Sequence, residues 1–185
     1  MYKRTFIKDL SAKKGEEVSI SGWVDVRRDQ GKMIFLDIRD MTGKDQSVVL
    51  PNHTEALEVA KTLRGEWVVK IIGKVNARPE KNVNPEVANG DIELEVTGVE
   101  VLAKAEPLPF DMSLDGYNLD LVTELDNRAL ALRHPKVQAV FKVQETIIDA
   151  FREHLKSNMF FEFQAPAITP AVAEGGSEVF QVDYF

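Results

Sequence analysis

The sequence predicts a mainly β protein with some α-helix, in which a small β-domain precedes the beginning of a second, mixed domain. Within residues 18–50 and 67–101, several runs alternate apolar and polar side chains with the period of two that half-buried strands require. A short helical pattern separates these two stretches, and a much longer one begins at Pro135. The chain has 185 residues, enough for one large domain or two small ones.

The order of the elements in the first part predicts the fold more closely. The first strand alternates from Val18 to Val26 and ends at a turn that contains Gly31. The second strand places one apolar residue at every other position from Ile34 to Ile38, and a third, short strand ends at residues 48–50.

A helical pattern follows at residues 55–64, where Gly65 is a stop signal. Two more strands are predicted at residues 67–75 and 92–101, with a loop rich in Pro and Asn at 77–90 between them. Three strands, a helix and two strands are the order of an OB-fold, a five-stranded Greek-key β-barrel, although other small barrels share this pattern.

The second part is predicted to begin with a long amphipathic helix. Apolar residues recur at helical spacing from Val137 to Leu155, and Ser157 and Asn158 end the pattern. Strand-like runs follow at residues 159–163 and 179–185. About 50 residues are too few to bury such apolar faces well, so we expect a truncated chain whose second domain lacks most of its body.

Composition and charge narrow the classes of protein. Cysteine is absent, which excludes a disulfide framework, thiolate catalysis and cysteine-based zinc sites. No apolar run approaches the roughly 18–20 residues of a membrane span, and the N-terminus has no signal-peptide core, so we expect a cytoplasmic protein that does not contact membranes.

The distribution of the net charge indicates two units. The chain carries a net charge of −7, yet residues 1–105 contain equal numbers of basic and acidic residues, and the acidic excess lies in 106–185. Any anion-binding face in the first part must therefore come from local placement of side chains. We expect domains at 1–105 and 136–185, joined by a hinge with several prolines at 106–135.

Motifs for a self-sufficient catalytic centre are absent from the sequence. It contains no glycine-rich phosphate loop, no dinucleotide fingerprint and no G-x-S-x-G elbow. His53, His134 and His154 are far apart and have no metal-ligand spacing, so no metal site is predicted. We expect no catalytic residue in this chain.

The second predicted strand carries an aromatic side chain on its more polar face. Phe35 lies opposite the apolar face, and Arg27, Arg28 and Gln46 are expected beside it on the neighbouring strands. A ring for base stacking, a guanidinium and an amide are what single-stranded nucleic acid needs for binding. The alternative is that Phe35 closes one end of the barrel and the arginines are only solvated.

These stretches closely resemble class IIb aminoacyl-tRNA synthetases, and the aspartyl-tRNA synthetases in particular. The resemblance begins in the barrel, where residues 22–24 read GWV, 27–31 read RRDQG and 34–40 read IFLDIRD. It continues through the loop and strand within 78–93, the hinge entry at 106–110, and the archaeal-type catalytic start within 125–144 and 174–185.

The resemblance implies roles for six residues of the barrel in binding a tRNA anticodon. Phe35 would stack on the central anticodon base, and Arg28 and Gln46 would read the edge of that base. Asn82 and Glu93 would contact the third base, where a carboxylate can accept from the amino group of cytosine. Arg78 would meet the RNA backbone nearby.

The resemblance also implies roles in the second part. Pro166 matches the motif 1 proline at the homodimer interface of class II synthetases. A loop of four residues would close over the amino-acid substrate, with a carboxylate near the ammonium group of aspartate and two glycines that allow movement. These residues are Glu174, Gly175, Gly176 and Ser177.

The implied activity is that of an aspartate–tRNA ligase, which activates L-aspartate with ATP and Mg²⁺ and transfers it to tRNA(Asp); charging of tRNA(Asn) as well is left open. Motifs 2 and 3, which bind ATP in this family, are absent from the sequence. The chain alone is therefore expected to be inactive and to bind neither ATP nor Mg²⁺. An asparaginyl-tRNA synthetase fragment and a non-catalytic tRNA-binding module are the alternatives.

Overall fold

The computed structural model describes residues 3–112 and 118–166. The chain divides into two compact units, Met1–Gly116 and Tyr117–Phe185. Among the described residues, no helix combines the length and the apolar character that a membrane crossing demands.

The first unit is a closed five-stranded barrel with the strand order β1-β2-β3-β5-β4. All pairs are antiparallel except β3 with β5. The predicted OB-fold barrel is confirmed, because the long first strand pairs with β4 through one half and with β2 through the other. The strands are β1 Glu17–Asp29, β2 Ile34–Asp40, β3 Gly43–Val49, β4 Val68–Ala77 and β5 Ile92–Ala103.

Two helical segments complete the core of the barrel. Helix α1, Thr54–Thr62, buries Ala56 and Ala60, and a 3-10 helix at Ile7–Lys13 buries Ile7 and Leu10. Alternating apolar residues of all five strands form the same cluster. They include Val18, Ile20, Val24, Ile34, Leu36, Ile38, Val49, Val69, Ile71, Val75, Ile92, Leu94 and Val96.

The predicted alternation along β1 is wrong at its end. A register shift between Val24 and Val26 places Val26 opposite Asp37, and the Val26 side chain is 37% exposed. A β-bulge adds one residue to a strand and so reverses which face the following residues occupy. Val26 therefore points outward, although period two from Val18 predicts the opposite face.

The loop between β4 and β5 and the segment after β5 contain little regular structure. The loop predicted at 77–90 contains one 3-10 turn, Glu80–Asn82. Its end is tied to the N-terminal 3-10 helix, because Asn89 Nδ2 donates to the Ile7 carbonyl at 2.8 Å. After β5, Trp67 Nε1 donates to the Ala105 carbonyl at 3.1 Å, which holds the start of the predicted hinge against the barrel.

The second unit consists of three helices within its described residues. Helix α2, Leu121–Asp126, and helix α3, Arg128–Ala131, lie inside the segment that sequence analysis assigns to the hinge. Helix α4 spans Pro135–Ser157, as the periodic pattern predicts. The strand-like run predicted at 159–163 forms no strand: residues 160–166 have no regular secondary structure and pair with no strand among the described residues, and the run at 179–185 lies outside them.

Candidate nucleic-acid interface

The outward face of β2 carries the predicted stacking residue. Ile34, Leu36 and Ile38 are fully buried, whereas Phe35 points to the opposite side and is half-buried. Across the sheet, Phe35 is paired with Arg28 of β1 and with Val48 of β3. The ring therefore lies on the outer surface of the barrel, where a base can reach it.

Arg28 links three strands on this face. Its Nη2 donates to Asp37 Oδ1 at 2.8 Å and to Gln46 Oε1 at 3.1 Å. Because the Gln46 oxygen is engaged, its amide N–H groups are left to donate to a ligand. The structure thus brings together Phe35, Arg28 and Gln46, and it adds Asp37, whose place beside Phe35 the alternation of β2 indicates.

Arg27 does not belong to this cluster, which corrects the sequence-based placement. The β1 bulge puts Arg27 opposite the inward-facing Leu36, while Arg28 stands opposite Phe35. The nearest carboxylate that pairs with Arg27 is Asp29, at 3.8 Å. Of the two adjacent arginines, only Arg28 shares the face of the stacking residue.

A cleft of about 180 Å³ extends this face. Arg28 and Gln46 line it on one side, and Arg78 lines it together with the loop at residues 84–90. Asn82 and Glu93 do not line the cleft: Asn82 is exposed at the end of its 3-10 turn, and Glu93 is half-buried opposite Asn76 of β4. Of the six residues predicted to bind an anticodon, Arg28, Gln46 and Arg78 line the cleft, Phe35 lies beside Arg28, and Asn82 and Glu93 are not among the lining residues.

Asp45 is a site residue that sequence reasoning missed. It lies at an inward-facing register position opposite Ile38, lines the same cleft and is only 4% exposed. Burial raises the pKa of Asp45 to about 7, and Arg78 opposes this shift, whereas Asp37, Glu93 and Asp91 add to it. The sequence contains one signal for this site: Asp45 is a charged residue at a position of β3 whose side chain faces the interior of the barrel.

A second polar group lies in the same cross-strand row as Phe35. Val48 is paired with Glu95 of β5, whose Oε1 contacts His53 Nε2 at 3.0 Å and whose Oε2 accepts from Asn76 at 2.9 Å. The hydrogen bond from His53 lowers the pKa of Glu95 below its usual value. His53 is thus a hydrogen-bond partner of Glu95.

The predicted residues of the second unit are only partly described. Pro166 is exposed at the end of the described range. Glu174, Gly175, Gly176 and Ser177 lie outside the described residues. In the parts of the chain that the structure describes, no cluster of His, Asp or Glu side chains is suited to hold a metal ion.

Helix α4 exposes the apolar face that its pattern predicts to be buried. Within the described residues, Val137 is its only buried residue, whereas Val140 is 64% and Phe151 is 66% exposed. Other exposed apolar residues on the helix are Phe141, Val143, Ile147, Ile148 and Leu155, and Phe160, Phe161 and Phe163 follow it.

Comparisons with known families agree with this architecture. Residues 18–102 match the OB-fold nucleic acid binding domain of the anticodon-binding family, and residues 120–185 match the class II tRNA synthetases (D, K and N). The aspartate–tRNA ligase of Staphylococcus aureus strain Newman is 36% identical over 165 residues, 89% of this chain and 28% of that ligase. The chain thus spans 28% of the length of this curated relative.

Solved structures of the same group are also similar. Asparaginyl-tRNA synthetase from Pyrococcus horikoshii, complexed with asparaginyl-adenylate, matches with a TM-score of 0.81 and 32% identity, over 100% of this chain and 41% of that one. Aspartyl-tRNA synthetase from Entamoeba histolytica has a TM-score of 0.77 and 26% identity, over 89% of this chain and 39% of that one. The chain therefore joins a segment that matches an OB-fold nucleic acid binding domain to one that matches class II tRNA synthetases, and the relatives and solved structures named above are aspartyl- and asparaginyl-tRNA synthetases.

Proposed function

We propose that this chain supplies the anticodon-binding part of an aspartate–tRNA ligase. The complete reaction activates L-aspartate with ATP and transfers the aspartyl group to tRNA(Asp). The observation that carries the proposal is the outward Phe35 ring beside the Arg28–Gln46 pair on a closed barrel. A cytoplasmic location, expected from the sequence, goes with this proposal.

The geometry suits an unpaired RNA loop. An aromatic ring on the outer face can stack on one base, and stacking contributes roughly 1–3 kcal/mol per base. The Arg28 guanidinium and the Gln46 amide, 3.1 Å apart, then present donors to the edge of that base. Asp37 fixes the guanidinium from the other side through its 2.8 Å contact.

The first prediction concerns Phe35 and an RNA hairpin with the aspartate anticodon. Phe35→Ala removes the stacking surface, so the dissociation constant should rise roughly 5–150-fold, which corresponds to about 1–3 kcal/mol. Fluorescence anisotropy with a labelled hairpin measures this change. Met41→Ala, which truncates an 82% exposed side chain at the turn after β2, is the matched control and should leave the affinity unchanged.

Two results would contradict the proposal. The wild-type chain could bind this hairpin no more tightly than a hairpin with an unrelated loop, or Phe35→Ala could bind as tightly as Met41→Ala. Either result would remove the role of the ring in anticodon binding.

An asparaginyl-tRNA synthetase remains the second candidate, because a solved structure of that specificity covers the whole chain with a TM-score of 0.81. The aspartate and asparagine codons differ in their first base, so the third anticodon base is cytosine in one tRNA and uracil in the other. A preference of the wild-type chain for the hairpin with cytosine supports the aspartyl assignment. A preference for uracil supports the asparaginyl one.

ATP and Mg²⁺ belong to the proposed reaction of the whole enzyme. No described cluster of carboxylates in this chain suits Mg²⁺, and the motifs that bind ATP in this family are absent from the sequence. We therefore assign neither to any residue here, and the chain's own contribution is to bind and orient the tRNA.

A homodimer is the remaining part of the proposal. The exposed apolar face of α4 precedes Pro166, the residue that resembles the motif 1 proline. A row of exposed aliphatic and aromatic side chains is costly to leave in water, so burial against a second copy would stabilise the chain.

A further inference from the structure

A buried carboxyl group and a half-buried guanidinium, those of Asp45 and Arg78, share the cleft beside Gln46. Asp45 is 4% exposed, and Arg78 approaches it from the chain that follows β4. The backbone N–H of Arg78 donates to the Asp91 carbonyl at 3.0 Å, which fixes where its side chain starts. The two side chains attract each other electrostatically.

Each of these groups has an atom without a hydrogen-bond partner. Asp45 Oδ2 and Arg78 Nε are both buried, and neither is paired within the described parts of the chain. A buried acceptor or donor without a hydrogen-bond partner lowers the stability of the folded state, so native proteins rarely keep such atoms unless they serve a function. The two atoms are complementary, because a carboxylate oxygen accepts and the guanidinium Nε–H donates.

The other charged groups around the cleft already have partners. Arg28 pairs with Asp37 at 2.8 Å, and Lys44 pairs with Asp25 at 3.1 Å. On the acidic side, Asp91 is held by Lys14 and Ser11. Glu93 of β5 adds a further negative charge near Asp45. Of the cations that line the cleft in the described structure, Arg78 is the one not committed to a carboxylate.

We propose that Asp45 positions Arg78 for contact with the RNA backbone, by anchoring the Nε side of its guanidinium when RNA enters the cleft. The proposal rests on the anticodon-binding function proposed above. Asp45 would not touch the RNA: its Oδ2 atom is buried, so its effect must pass through Arg78.

The shape of the guanidinium explains the arrangement. If the Arg78 guanidinium is held by a hydrogen bond from its Nε–H, its two Nη groups remain available to donate to two oxygens of a phosphate. Without the anchor, the long side chain loses more rotamer freedom when RNA binds, and the affinity falls. The loop at 84–90 narrows the cleft around Arg78, because Gly90 has no Cβ to collide with the Asn84 carbonyl.

A double-mutant cycle on the full 185-residue chain tests this role. The affinity for the aspartate-anticodon hairpin is measured at about pH 8 for the wild type, Asp45→Asn, Arg78→Ala and the double variant. Asp45→Asn should weaken binding about 5-fold or more when Arg78 is present, and should have no further effect when Arg78 is absent. Glu100→Gln is the charge-matched control, because Glu100 pairs with Lys70 outside the cleft.

The outcomes separate this inference from the proposed function. If Asp45→Asn binds as tightly as the wild type, or more tightly because a negative charge is gone, the positioning role is wrong. Equal losses in the presence and absence of Arg78 would also overturn it, since they indicate a merely structural effect. A wild-type chain that fails to bind the hairpin overturns the proposed function itself.

Discussion

Asp45 combines a buried position with a charge, and this combination has a measurable consequence for stability. Its pKa in the folded chain is about 7, against 3.8 for the ordinary carboxyl group. The folded state therefore keeps a proton that the unfolded state loses, and the free energy of unfolding should fall as the pH rises from about 4 to about 7. Above about pH 7, Asp45 is ionised in both states, so its effect on the free energy of unfolding no longer changes with pH.

Asp45→Asn should remove this pH dependence. At about pH 8 the variant should be more stable than the wild type, by an amount on the order of 2–4 kcal/mol, and the difference should vanish towards pH 4. Urea unfolding at several pH values, followed by circular dichroism, gives the comparison. The free energy of unfolding of Glu100→Gln should change with pH as that of the wild type does. If Asp45→Asn also shows the pH dependence of the wild type, Asp45 ionises with an ordinary pKa.

Among individual residues, the sequence predicts those whose position follows from alternation along one strand, and it does not predict those whose position depends on contacts between strands. Phe35 is identified because alternation along β2 sets its face against Ile34 and Leu36. The predicted strand order places Arg28 and Gln46 beside Phe35, but it does not separate Arg28 from Arg27, because that distinction depends on the register between strands. The unpaired atoms of Asp45 and Arg78 depend on side-chain packing in three dimensions, and no one-dimensional pattern contains that information.

At the scale of elements, the β1 bulge decides which arginine shares the outer face with Phe35. A period-two pattern treats all residues of a strand alike, so it predicts the five strands and their apolar faces well. It cannot predict the extra residue near Asp25, because a bulge is set by pairing with another strand. From that point onward the predicted faces of Val26, Arg27 and Arg28 depend on tertiary structure.

The close pairing around β1 leads to a prediction for Gly22. A Cβ at this position would collide with the Arg39 carbonyl oxygen and would lie 3.1 Å from Ile38 Cγ2. Gly22→Ala should therefore lower the free energy of unfolding by roughly 1–3 kcal/mol or more, because a backbone contact cannot yield easily. Urea titration measures the loss.

Gly98→Ala in β5 is the matched control for this contact. A Cβ there would meet Ile72 Cβ at 3.8 Å, an ordinary contact, so its stability should stay within about 1 kcal/mol of the wild type. Equal stabilities of the two alanine variants would mean that β1 and β2 separate without cost at this point.

At the scale of the whole molecule, the two units differ in how they bury apolar surface. The barrel closes on itself and buries the apolar residues of its inward face. Helix α4 instead leaves a row of large apolar side chains exposed within the described structure. Its amphipathic pattern predicts the helix but not its neighbour, because the pattern records only that one face is apolar.

We expect the chain to self-associate through this face of α4. Ile147→Lys and Phe151→Glu each place a charge in the middle of the row, where Ile147 is 51% and Phe151 is 66% exposed, so either change should shift a dimer towards monomer. Glu153→Lys changes the charge on the opposite side of the same helix and should leave the dimer intact. Sedimentation velocity over a range of concentrations distinguishes the species. A wild-type chain that stays monomeric, or a Glu153→Lys variant that dissociates like the other two, would rule out a second copy as the partner of this face.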